Sequence, residues 1–156
     1  TILAKGSARA NDAAASARGE RAFRRARCFT CHRVGDEGAG TGPDLTDAGA
    51  RFTAHDLLVS LLEPSRDVSD QYRDTEVWTH DGEVFVGRRV DAEEGWVAVQ
   101  EANPIDAAAG SIVEIPEEEI AGLRASAQSR MPTGLLDVLT REEIGDLLAW
   151  VLADKR

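Results

Sequence analysis

The chain has 156 residues, with 18 Lys and Arg against 28 Asp and Glu, for a formal net charge of −10 at pH 7. That length suits one domain with a real core, and the acidic balance argues against a nucleic-acid partner, which would need a positive face. No apolar run approaches the roughly 18 residues of a membrane helix, so no membrane span is expected.

In chain order, residues 1–15 read as a flexible tail or a helix extension, Ala-rich over Ala8–Ala17. The chain begins at Thr1 with no visible signal peptide, which fits a mature chain or an excised domain. Residues 16–27 then place Gly19, Ala22, Phe23 and Ala26 on one helical face, with Arg18, Arg21, Arg24 and Arg25 opposite. Further on, Ala54–Leu62 reads as a helix with His55 near its start. Glu76–His80 and Glu83–Val90 flank Asp81-Gly82, a strong short hairpin signal. A second turn at Ala92–Gly95 leads to Trp96–Gln100, and Ser111–Ile115 follows a looser Asn103–Gly110 stretch. The period of these segments predicts a three- or four-stranded antiparallel meander ended by Pro116, with Trp78 and Trp96 as its small core. His80, beside the first turn, is expected at the surface, as is His55. The chain closes on Thr140-Arg141-Glu142-Glu143, a capping box. It opens a helix whose Ile144, Leu147, Leu148, Val151 and Leu152 form an apolar stripe, with Trp150 beside it.

The two cysteines lie in Cys28-Phe29-Thr30-Cys31-His32. Four chemistries compete for this stretch. A disulfide between residues so close would constrain little. A redox pair of the thioredoxin kind would follow a hydrophobic strand, whereas Arg24-Arg25-Ala26-Arg27 precedes Cys28. A zinc site needs four well-spaced ligands, and adjacent Cys31-His32 with two distant histidines does not supply them. The fourth is covalent haem attachment: two thiols one helical turn apart each add to a porphyrin vinyl group, and the next residue turns its imidazole toward the iron.

With an amphipathic helix before this motif and another at the chain end, the sequence resembles a class I c-type cytochrome. Gly19 and Phe23 fall where that family crosses its first helix under its last, opposite Leu147 and Trp150, and Gly42-Pro43-Asp44-Leu45 matches a segment that follows the attachment motif in many members. The resemblance implies one haem c per chain, covalent through Cys28 and Cys31, with His32 as proximal iron ligand and the Pro43 carbonyl accepting a hydrogen bond from its outer nitrogen. It also implies that Met131, the only methionine, in Ser129-Arg130-Met131-Pro132, is the distal ligand. The family's minimal domain is shorter between motif and methionine, so residues of approximately 73–115 are read as a β insertion in a single domain over 16–156. That order of parts is similar to a bacterial haem-binding domain often found at the C-terminus of large secreted dehydrogenase-like and β-propeller proteins.

The expected fold is therefore mainly α, α+β overall: cytochrome c helices around a covalent haem, plus a small inserted antiparallel sheet. The expected function is single-electron transfer rather than catalysis, between a redox protein partner or fused dehydrogenase domain and a second partner, in the periplasm or another extracytoplasmic space. Two alternatives stand beside it: a haem module with an open sixth position for gas sensing or peroxide chemistry, and a partner-recognition domain that uses the β insertion. Between Arg18 and Arg33, six Arg and one Glu give a local charge of +5. It reads either as a solvated helix face or as a docking patch for an acidic redox partner.

Overall fold

The computed structural model describes residues 13–101 and 110–154. Of the tail or helix extension expected over residues 1–15, residues 1–12 lie outside the described residues, as does most of the looser stretch before Gly110; Ala13, Ala14 and Ala15 are helical. The chain divides into two compact units, one formed by Thr1–Arg66 with Pro132–Arg156 and the other by Asp67–Met131. Among the described residues, four α-helices fall in the first and five strands in the second, an α+β layout.

In the first unit, helix α1 spans Ala13–Arg25, α2 Ala48–Arg51, α3 Ala54–Leu62 and α4 Arg141–Leu152. Helix α1 buries Ala15, Gly19, Ala22 and Phe23 on one face. Gly19 is the point of closest approach to α4: a Cβ there would stand 2.4 Å from both the Asp146 carbonyl oxygen and the Trp150 Cβ. The backbones can therefore cross in contact only because residue 19 has no side chain. One turn later the Phe23 and Trp150 rings meet at 5.0 Å between centroids, tilted by 48°, within the range of favourable aromatic pairs. Ala22, Phe23, Ala48, Leu136, Leu147 and Val151 form the core of this unit. Both α3 and α4 open on a full capping box, Thr53 with Asp56 and Thr140 with Glu143. Each box satisfies amides that the first turn leaves without helical partners.

Helix α1 ends two residues before the expected boundary. Arg27 stands in the left-handed region at φ 60°, where a non-glycine residue is uncommon. This reversal stops the helix and starts the short 3-10 turn Cys28–Thr30.

The second unit is one antiparallel sheet, β1 Thr75–Thr79, β2 Val84–Val90, β3 Trp96–Glu101, β4 Ile112–Pro116 and β5 Ile120–Ala125, in the order β4-β3-β2-β1-β5. The expected hairpin is present, with Val77 opposite Phe85 and Trp78 opposite Val84. The sheet is larger than expected, because after Pro116 the chain takes one 3-10 turn, Glu117–Glu119, and returns as β5 along the free edge of β1. Its core is Val77, Val97, Val99 and Ile115, with Phe85, Val113 and Ile120 packed against them. The two tryptophans expected in that core are not in it. Val77 and Val97 face inward, so their neighbours Trp78 and Trp96 must point to the opposite face. Trp96 is 43% exposed, and the Trp78 ring lies over Gly122, where a Cβ would come within 2.6 Å of it.

Candidate cofactor-attachment site

Cys28, Cys31, His32 and Pro43 all lie in the first unit, and the structure brings them together. The left-handed Arg27 turns the chain into Cys28–Thr30, and the His32 amide then donates to the Cys28 carbonyl at 2.9 Å. This single turn holds both thiols and the imidazole on one short, rigid stretch. The following loop folds back over it: Gly42 N–H donates to the Cys31 carbonyl at 2.7 Å and Leu45 N–H to the Arg33 carbonyl at 2.9 Å.

That fold-back fixes the imidazole. His32 Nδ1 lies 2.8 Å from the Pro43 carbonyl oxygen. A carbonyl only accepts, so Nδ1 carries the proton and Nε2 is left with the free lone pair. Burial lowers the His32 pKa, with the Pro43 contact opposing it. The ring is therefore neutral near pH 7, the form that ligates a metal. Two glycines make room: a Cβ on Gly42 would lie 3.0 Å from His32 Cε1 and 3.1 Å from Nδ1, and one on Gly38 would lie 2.2 Å from the His32 carbonyl oxygen.

Cys28 and Cys31 are free, half-buried thiols. Burial pushes the Cys28 thiol up to about 11, so it is protonated at neutral pH. A disulfide-exchange cysteine has the opposite shift, because the thiolate is its nucleophile. Among the described residues no group of three or more His, Cys, Asp or Glu could hold a metal ion. The redox-pair and zinc readings of this stretch both lack their chemistry.

The same unit also leaves apolar side chains exposed. Five of the nine residues of α3 are Leu or Val; Leu57, Leu58 and Leu61 pack part-buried on the core, and Leu62 stands exposed. In the same unit Phe29, Phe52, Leu62 and Val138 are exposed, Leu62 by 60%. Apolar side chains left in water at this density ask for a covering group.

Of the remaining expected residues, Met131 closes the second unit, half-buried, its amide donating to Ser129 Oγ at 3.1 Å. His55 and His80 are exposed as expected. Three of the six arginines of the cluster are ion-paired within its own unit. Arg18 pairs with Asp146, Arg24 with Glu20 and Glu37, and Arg25 with Glu143. Sequence reasoning did not find Asp74 and Arg130. They form an ion pair of 2.7 Å with both side chains largely out of solvent, 7% and 15% exposed. Fifty-six positions separate the two, and no local pattern links them.

Two thiols a turn apart, followed at once by a neutral imidazole held through its outer nitrogen, fit the donor set of a c-type haem-attachment site. Comparison with protein families agrees: residues 16–81 match the family model for cytochrome c. This match supports a c-type cytochrome, haem-based electron transfer, and a covalent haem c held by Cys28 and Cys31. Domains of that family are typically extracytoplasmic, and no described helix is long and apolar enough to cross a membrane. No curated protein matches the chain.

Proposed function

We propose that residues 16–156 form one cytochrome c domain with an inserted sheet, which exchanges single electrons in the periplasm or an equivalent compartment. His32 is its proximal ligand and Met131 its distal ligand, and its electrons pass between a redox partner, free or fused as a dehydrogenase domain, and a second carrier. The observation that carries this reading is the His32 ring, neutral, half-buried and tied to the Pro43 carbonyl, one residue from a free cysteine. When bound, haem c supplies an iron couple that gains and loses one electron without making or breaking a covalent bond. The chain's own residues do the rest. Cys28 and Cys31 anchor the macrocycle, and the Pro43 carbonyl orients the imidazole and strengthens it as a donor. The apolar side chains of α3 with Phe52 and Val138 keep water from the group. A Met131 thioether, soft and uncharged, favours the ferrous state and raises the potential.

The test is an optical spectrum of the protein matured with haem c, taken oxidised, reduced and reduced under carbon monoxide, beside Met131→Ala. A low-spin reduced spectrum indifferent to carbon monoxide, which becomes reactive only in the variant, is the expected result. A wild type that binds carbon monoxide would replace electron carriage by ligand sensing or catalysis. Protein without covalent haem would end the proposal altogether.

A further inference from the structure

The second unit begins and ends at a neck that is stapled together. The Ser126 amide donates to the Asp74 carbonyl at 2.8 Å. Arg73 donates to the Val68 carbonyl at 2.6 Å and to the Ser126 carbonyl at 3.4 Å. The strongest element is Arg130, whose Nε lies 2.7 and 2.9 Å from the two oxygens of Asp74. Its second arm donates to the Gln100 carbonyl on β3, whereas Asp74 directly precedes β1, two places away in the sheet order. One side chain thus ties the outgoing chain to β3 and to the residue before β1, two strands that are not paired with each other. The residue after it is Met131, whose own amide is held by Ser129 Oγ.

Nothing in the sheet requires a charged pair in this position. A buried ion pair is weak evidence for stability, because desolvation offsets most of its attraction, but it fixes geometry well. We infer that Asp74 and Arg130 are positioning residues for Met131: the pair, with the Gln100 carbonyl, holds the backbone from which the thioether is presented. The inserted sheet is thereby the strut of the distal ligand. This rests on the reading of Met131 as that ligand. A thioether is a weak donor, and the fraction of time it spends on the iron depends on how narrowly its backbone is confined. An external ligand then binds with an apparent affinity set by the fraction of open sites.

The experiment is an imidazole titration of the ferric haem-loaded protein, read with the thioether-to-iron charge-transfer band. The chain is compared with Arg130→Gln, Asp74→Asn, Arg130→Lys, Val77→Ala and Met131→Ala. Arg130→Gln and Asp74→Asn are expected to bind imidazole about tenfold more tightly than wild type and to weaken the band. Val77→Ala loosens the core of the same sheet without touching the pair, and should change imidazole affinity less than about twofold. Arg130→Lys keeps the charge but loses the forked contact, and should fall between, at about threefold; it stands in if a stronger variant fails to mature. Unchanged imidazole affinity in the pair variants, with Met131→Ala reactive, would overturn the clamp and leave the ligand assignment intact. An effect of equal size in Val77→Ala would also overturn it, since general loosening would then suffice. A wild type without the thioether band, or Met131→Ala identical to it, would overturn the ligand assignment and the clamp together.

Discussion

Gly42 controls the His32 ring through the absence of a side chain. Its missing Cβ leaves 3.0 Å to the imidazole, so Gly42→Ala must push the ring or the loop by a few tenths of an ångström and stretch the bond to the Pro43 carbonyl. That bond makes the imidazole a stronger donor, which favours ferric iron. Losing about 1 kcal/mol of hydrogen bonding corresponds to roughly 40 mV for one electron. Gly42→Ala is therefore expected to keep covalent haem and raise the reduction potential, as voltammetry would show. Gly19 is tighter still, with two heavy atoms at 2.4 Å from its Cβ position. There Gly19→Ala should force α1 and α4 apart at a cost of about 1–3 kcal/mol, lowering the melting temperature by on the order of 5 °C. The roles of Cys28, Cys31 and His32 were legible because their chemistry sits in five consecutive residues. The Asp74–Arg130 pair was not, because a contact between the two ends of an insertion leaves no periodic or local trace.

Among the elements, legibility followed the strength of the local signal. Helix α4 announces itself by its Thr140–Glu143 capping box and the β1–β2 hairpin by Asp81-Gly82. Strand β5 does not: Ile120-Ala121-Gly122-Leu123-Arg124-Ala125 is poor in β-branched residues, and its partner is a strand more than forty positions earlier. Four-residue α2 is too short to show a period at all. The misplacement of the tryptophans has a plainer cause, since alternation along a strand lets either Val77 or Trp78 face inward, and the sheet took the valines. The caps also make the helices acid-sensitive. The Thr53 amide and hydroxyl hold the Asp56 carboxyl below its ordinary 3.8, and the Thr140 amide and hydroxyl, helped by Arg25, hold Glu143 below 4.5. A carboxyl depressed in the folded state stabilises fully above its ordinary value, and this contribution is lost as the pH falls through the depressed value. Wild type should therefore melt above Glu143→Gln at neutral pH, with the difference closing as the pH falls below the ordinary 4.5 of that carboxyl. Thr140→Ala should cost about 1 kcal/mol, measured by thermal denaturation.

For the whole molecule the relevant quantity is the net charge of −10, against a basic cluster in which three of the six arginines are ion-paired. Arg24 and Arg25, which a docking patch would need free, are engaged by Glu20, Glu37 and Glu143. Their local field is cancelled within a few ångströms, whereas the overall charge acts over the Debye length, about 10 Å at 0.1 M salt. Oxidation of the reduced protein by a small anionic one-electron reagent should accordingly speed up as salt is added, and oxidation by a cationic reagent should slow down. Stopped-flow rates across an ionic-strength series give the slopes directly. A reversed pair of slopes would restore the arginine face as the surface that governs encounter.

The apolar face of α3 has a consequence for the life of the polypeptide in the cell. A chain whose prosthetic group has not arrived presents Phe52, Leu62 and Val138 to water, the kind of surface that chaperones hold and proteases inspect. Its abundance is then governed by how quickly maturation covers that surface. On the proposed function, the supply of haem, through the survival of loaded over unloaded chains, then limits how much of this protein a cell keeps.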